Sequence, residues 1–303
     1  MKFGVAMFPL DGAASAHEVA LAAEERGFES YWVSEHSHIP VHAPLPFTGF
    51  DPKAYSSMCD PFVALGAAAV VTSTIKLGTA ITLVPQRDPI NCAKAVASID
   101  QLSNGRFLFG IGAGWNEDEL RNHRQAPESR FRLMRERLEA MQALWTQEQA
   151  EYHGRMVDFD PVWQWPKPKQ QPHPPIYVAG SGPNVLKRVL RYGDGWLPVV
   201  VPEVNNEMRG RVTPIDEFKS LVTELAERAE AAGKPMPKVS VSGASADPEM
   251  FNIFQSLDVE RMTFSLTPAP IDDVLRALDQ LVAQIRELDH DFGRSSNAQQ
   301  EVS

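Results

Sequence analysis

Cysteine is almost absent: Cys59 and Cys92 are the only two in 303 residues. Two thiols cannot build a disulfide scaffold, and no Cys-x-x-Cys pair offers a cysteine-rich zinc site. Long apolar runs are missing too. The most apolar stretch, 63–71, falls far short of the ~20 residues a membrane helix needs. The opening MKFGVAMFPLDG is interrupted early by Asp11 and no cleavage-type region follows, so a secretory leader is not expected. Positive charge is in deficit, with 29 Lys and Arg against 39 Asp and Glu, a formal net charge of −10. That argues against a general nucleic-acid binder, which needs a basic face, but not against an acidic small molecule held in a local basic pocket. What these absences leave is a cytoplasmic globular protein, off the membrane, long enough to bury a core without staples.

What is present is a strict alternation. Short apolar runs at 2–8, 30–35, 76–82, 107–113, 176–180, 195–201, 239–244 and 261–266 are apolar on nearly consecutive positions. That pattern marks strands covered on both faces, as in parallel sheets. Helical patterns lie between them, at 15–26, 61–72, 89–102, 129–145, 183–192, 214–232, 248–255 and 271–288. Ser15 with Glu18 forms a capping box, and Asp60-Pro61 and Asp88-Pro89 place a cap before a first-turn proline. Eight strand–helix units in order predict an α/β fold, a (β/α)₈ TIM barrel over 1–288, with a polar tail at 289–303. An open doubly wound sheet is the rival, but Pro9-Leu10-Asp11-Gly12 after the first strand lacks its nucleotide fingerprint.

The connections 36–60, 114–128 and 202–213 follow strands and are long, so the insertions fall at the C-terminal face, where barrel enzymes build their sites. The connection 148–175 precedes a strand, and the prolines within 160–175 predict an extended, irregular path there.

Four stretches could carry chemistry. Ser34-Glu35-His36-Ser37-His38 ends the second strand. A His-x-His there could ligate a metal, but the other histidines are not at strand ends, and a metal site is not expected. The alternatives are an imidazole relaying a proton to a bound ligand, or a histidine simply held by Glu35. Gly78 to Pro85 reads as a buried strand with small residues, or as a surface a flat ring could approach. Gly110, Gly112 and Gly114 alternate, which is not dinucleotide spacing. They leave one strand face bare, for a neighbouring side chain or for a ligand. Gly180-Ser181-Gly182-Pro183 joins a strand to a helix start and reads as an anion site or a tight turn; Lys187, Arg188 and Arg191 could add charge. Trp115, Trp163, Trp165 and Trp196 read as core or lid packing, and Asp118, Arg121 and Arg124 as a charged, solvated loop.

VSEH at 33–36, KLGTAITLVPQRDP at 76–89, DQLSNGRFLFGIGAGWNEDELRNH at 100–123, and PPIYVAGSGP with YGDGWLP at 174–198 occur together and in order. Jointly they resemble the bacterial luciferase-like monooxygenase superfamily, and within it the branch of oxidoreductases that use the deazaflavin coenzyme F420. The resemblance spans Met1 to about Leu288. It implies a cofactor ring at the C-terminal mouth of the barrel and a non-prolyl cis peptide at Ala80–Ile81. It further implies His36 near the ring, Ala113, Gly114 and Asp118 touching the cofactor, and Gly180, Ser181 and Gly182 binding its phosphate. Two departures stand out. Deazaflavin sugar-phosphate dehydrogenases carry a glutamate where this chain has Trp115, and the usual Asp before the histidine is Glu35.

The expected function is hydride transfer between F420 and a small organic substrate, with His36 as proton relay. An FMN-dependent monooxygenase, a metal-dependent hydrolase on His36 and His38, and a cofactor binder without turnover are the alternatives. A homodimer is common in the superfamily, though the sequence does not locate an interface.

Overall fold

A computed structural model of the chain describes residues 1–42, 51–202 and 212–293. In chain order the elements are β1 (Lys2–Ala6), α1 (Ala16–Glu25), β2 (Ser30–Val33), α2 (Pro52–Tyr55), α3 (Pro61–Val71), β3 (Lys76–Thr79), β4 (Thr82–Leu83), α4 (Pro89–Leu102), β5 (Phe107–Gly112), α5 (Glu117–Asn122), α6 (Arg130–Thr146), β6 (Ala150–His153), β7 (Asp158–Val162), β8 (Ile176–Ala179), α7 (Val185–Tyr192), β9 (Gly195–Leu197), β10 (Val200–Val201), β11 (Thr213–Pro214), α8 (Ile215–Ala231), β12 (Lys238–Ala244), α9 (Pro248–Ser256), β13 (Arg261–Ser265) and α10 (Ile271–Leu288).

The main sheet runs β3-β2-β1-β13-β12-β9-β8-β5-β4, and a β3–β5 pairing closes it into a ring. Every pairing in it is parallel. The result is a closed eight-stranded parallel barrel with helices between the strands, a (β/α)₈ barrel as the alternation predicts. Its third strand is split into β3 and β4, and the Ala80–Ile81 peptide between them is cis, at the expected position.

Local chemistry explains the element starts. Asp60 accepts hydrogen bonds from the Phe62 and Val63 amides at 2.9 and 3.2 Å, with Pro61 in the first turn. Asp88 accepts from the Asn91 amide and Asp247 from the Met250 amide, both at 2.9 Å. Each satisfies a donor that the helix leaves open.

The alternating glycines of β5 make room for the third strand. A Cβ on Gly110 would lie 1.8 Å from the Thr79 carbonyl oxygen, and one on Gly112 1.9 Å from Ile81 Cδ1. Gly78 likewise clears the Trp32 indole, 2.2 Å from its would-be Cβ. The bare faces are therefore filled by neighbours in the barrel wall. Inside the barrel, Trp32, Leu108, Tyr177 and Leu197 form a small buried cluster. At its lower end the Arg261 guanidinium lies 5.6 Å from the Trp32 ring and 5.8 Å from that of Tyr177.

One expectation needs correcting. The stretch 160–175 is not irregular throughout: residues 160–162 belong to β7, which pairs with β6 as an antiparallel hairpin. Pro161 is tolerated in β7 because a two-stranded ribbon leaves one edge of each strand free of partners. Within the polar tail expected at 289–303, Phe292 is 8% exposed and packs edge-on against Phe3 at 5.3 Å. The remainder of the tail, 294–303, lies outside the described residues, as do 43–50 and 203–211 of the long connections.

Candidate active site

At the C-terminal mouth the barrel interior ends in small residues. Ala6, Ala80, Ile81 and Ala179 are only partly buried and pack on the Trp32–Tyr177 cluster beneath them. They floor a shallow bowl. His36, just past β2, stands at its lip with its side chain 8% exposed.

Both ring nitrogens of His36 are engaged. Nδ1 lies 2.9 Å from Glu119 Oε2, and Trp115 Nε1 donates to Nε2 at 3.2 Å. An indole can only donate, so Nε2 accepts and Nδ1 carries the proton toward the carboxylate. Glu119 is fully buried. Burial pushes its carboxyl up, but the hydrogen bond with His36, the nearby Gln86 amide and the Ser37 N–H outweigh it. The net effect holds Glu119 below the usual carboxylate range. Its second oxygen accepts the Ser37 amide at 3.1 Å. Ser37 Oγ lies 2.8 Å from His123 Nε2 and 2.9 Å from His38 Nδ1, which continues the network toward the surface.

Glu35 does not hold His36. It accepts the Leu83 amide at 2.7 Å and Arg87 Nε at 2.6 Å, tying β2 to β4. Arg87 also pairs with Asp60 and lies over the Phe62 ring. The loop is set further by Ser34 Oγ, which donates to the Ala80 carbonyl at 2.6 Å. The His-x-His does not converge either: His38 Nε2 faces Asn122 at 2.9 Å, away from His36. Among the described residues no group of three or more His, Cys, Asp and Glu is arranged to hold a metal ion.

The other expected residues divide. Ala80 and Ile81 lie in the bowl floor, and Ala113 and Gly114 follow β5 beside it. Gly114 takes φ of +80°, with Leu83 and Gln86 nearest its open side. Asp118 is turned away, pairing with Arg121 at 2.7 Å on the outer face of α5. The stretch read as a solvated loop is thus half buried, with Glu119 inside and Asp118 outside. Across the mouth, Gly180 and Gly182 have φ of +111° and +91°, and nothing lies within 4 Å of a Cβ built on either. Between them Ser181 Oγ is buried and has no hydrogen-bond partner among the described residues. The Gly180 carbonyl is fixed by Trp196 Nε1 at 3.0 Å. Trp196 is core as expected, whereas Trp163 and Trp165 are 72% and 59% exposed.

Sequence reasoning missed Glu119 and assigned Trp115 only to packing. Asn116 caps α5 through the Asp118 and Glu119 amides, which makes Glu119 the third residue of the helix. The sequence shows three acids in that turn and not which of them points inward.

A closed parallel barrel with a buried histidine–carboxylate pair and a glycine-flanked orphan hydroxyl at its mouth belongs to the class of barrel proteins built to bind and act on a ligand at that face. The chain matches the luciferase-like monooxygenase family over residues 1–246 and belongs to it. It is 38% identical to an uncharacterised protein of Mycobacterium tuberculosis over 291 residues, 94% of this chain and 99% of that one. It is 32% identical to an F420-dependent glucose-6-phosphate dehydrogenase of Kineococcus radiotolerans over 187 residues, 59% of this chain and 50% of that one. Among solved structures, the monooxygenase RslO1 from Streptomyces bottropensis shares the fold with a TM-score of 0.75 at 21% identity, covering 94% of this chain and 98% of that one. An F420-dependent secondary alcohol dehydrogenase does so with a TM-score of 0.70 at 17% identity, covering 94% and 100%. No helix among the described residues is long and apolar enough to cross a membrane.

Proposed function

We propose that the protein is an F420-dependent oxidoreductase acting on a small organic substrate. The observation that carries the reading is His36, held by Glu119 and Trp115 at the lip of a bowl floored by Ala6, Ala80, Ile81 and Ala179. The residues present fit a flat ring with a phosphate-bearing chain. Small side chains leave the ring a seat, Gly180 and Gly182 leave their backbone open, and the Ser181 hydroxyl between them is a buried polar atom without a partner among the described residues. Ser181, with the open backbone of Gly180 and Gly182 and the N-terminus of α7, would hold the phosphate. Ala80, Ile81, Ala113 and Gly114 would line the ring. Asp118 reaches it only if its pair with Arg121 opens.

The deazaflavin, when bound, supplies or accepts the hydride. The chain's own residues manage the proton. In the arrangement seen, His36 is the neutral tautomer with Nε2 free of a proton. It takes up a proton from an alcohol-type substrate once Trp115 Nε1 yields its place, and returns it to a carbonyl in the reverse direction. Glu119 stabilises the imidazolium across the Nδ1 hydrogen bond and fixes the ring's orientation. Ser37 and His123 carry the network on toward solvent.

The relative named for F420-dependent dehydrogenation supports this cofactor. RslO1, a monooxygenase by name, keeps the FMN-dependent monooxygenase as the second reading. The test is a titration of apo-protein with F420 and with FMN, followed by tryptophan fluorescence. Micromolar binding of F420 with substrate oxidation independent of oxygen is the expected result. Binding of FMN alone, with oxygen consumed, overturns it.

A further inference from the structure

At the mouth, the first turns of α6 and α7 meet through an exposed aromatic ring. Phe131 is 42% exposed. The Arg188 guanidinium lies 4.3 Å from its centroid and that of Arg130 5.2 Å. Both helices follow barrel strands, so these first turns face the same end of the barrel as Ser181. Arg188 is one turn into α7, and a long helical side chain leans back toward its own N-terminus, toward the Gly180–Gly182 loop.

The two arginines differ. Arg130 donates to the Pro127 carbonyl at 2.8 Å and has Glu117 at 3.8 Å. The Arg188 side chain makes no hydrogen bond or ion pair with any described residue, and its Nε, like that of Arg130, is buried without a partner among them. Burial holds its guanidinium below the ordinary value, and the nearby Tyr192 only partly offsets this. A half-buried cation without a counter-ion is costly to keep, whereas an anion supplied from outside would satisfy it.

Coenzyme F420 and FMN share a phosphate but differ beyond it: the deazaflavin continues into a lactyl–oligoglutamate chain bearing several carboxylates. We propose that Arg188, stacked on Phe131, is a carboxylate-binding arm that grips this anionic tail beyond the phosphate and so selects the tailed deazaflavin over FMN. This rests on the cofactor reading above and adds a residue outside the bowl. The planar guanidinium presents paired donors to a carboxylate, and the ring beneath keeps it extended.

The experiment measures dissociation constants by tryptophan fluorescence for three ligands: F420, its lactyl-phosphate form without glutamates, and FMN. Wild type is compared with Arg188→Gln and Arg188→Lys, at low and at physiological salt, with thermal melts to confirm folding. Loss of one charge-assisted contact predicts about tenfold weaker binding of the tailed cofactor to Arg188→Gln. FMN, which has no carboxylate beyond its phosphate, should change less than about twofold, a difference within additivity error, and the lactyl-phosphate form, with a single carboxylate, should fall between. Arg188→Lys keeps the charge and retains most of the tailed binding, and the salt dependence is shallower in Arg188→Gln. Equal weakening for F420 and FMN, or none for either, overturns the arm while leaving the cofactor reading intact. Failure of wild type to bind any deazaflavin overturns both.

Discussion

The two ends of the barrel handle buried charge in opposite ways. At the lower end the buried Arg261 has its partners. Arg261, 1% exposed, binds Glu29 through two hydrogen bonds of 2.7 and 2.8 Å, Glu260 lies 3.5 Å away, and Tyr177 donates to Glu260 at 2.7 Å. At the mouth, His36 and Glu119 are paired, but Ser181 Oγ and Arg188 Nε are buried with no partner among the described residues. A satisfied network closes a structure, whereas an orphan group beside open backbone, as Ser181 is between Gly180 and Gly182, leaves room for a ligand to complete it. The lesson is that buried polarity separates stability from function only when its partners are counted.

Substitutions at each end should therefore fail differently. The largest effect is expected at the lower end. Arg261→Met leaves Glu29 without its cation and Glu260 with Lys2 alone, and should cost about 3 kcal/mol of stability, read as a fall in the urea midpoint. Dissociation constants at the mouth should stay unchanged, and weakened cofactor binding would show that the two ends are coupled. Next, His36→Ala should slow hydride transfer by about 10²-fold while leaving cofactor binding within about tenfold in single-turnover experiments. Undiminished turnover removes His36 from the mechanism. Ser181→Ala should weaken the phosphate-bearing cofactor by about tenfold. Its melting temperature in the apo form should not move, because the hydroxyl has no protein partner to lose. A drop in apo stability would place Ser181 among the structural residues instead.

The smallest effect concerns pH. Glu119 is held below the ordinary carboxylate range in the fold. Its ionised form thus stabilises the native state above the unfolded value of ~4.3, and that contribution is lost as pH falls through the lower folded value. Glu119→Gln should flatten the acidic limb of the stability curve, measured as urea midpoints from neutral pH downward. Superimposable limbs for variant and wild type would contradict the assignment.

Much of this was legible beforehand because strands buried on both faces and helices capped by Asp-Pro leave strong local signatures. The alternating apolar runs set the strand order, and a closed barrel is the standard way to bury eight such parallel strands. Pro161 misled because a proline's damage depends on whether its edge has a partner, and that is a tertiary fact. Trp163 and Trp165 misled because an indole in a sequence says nothing of what covers it.

The sequence alone determined the barrel and the glycine-flanked loop around Ser181, since each follows from residues close together in the chain; the position of the break in the third strand came from the family resemblance. Only the folded structure decided that Glu119 rather than Asp118 turns inward to meet His36, that Gly110 and Gly112 make way for the barrel wall, and that Arg188 is left without a counter-ion. Those outcomes depend on groups up to 83 positions apart in the chain, and local pattern carries no record of which distant side chains will meet.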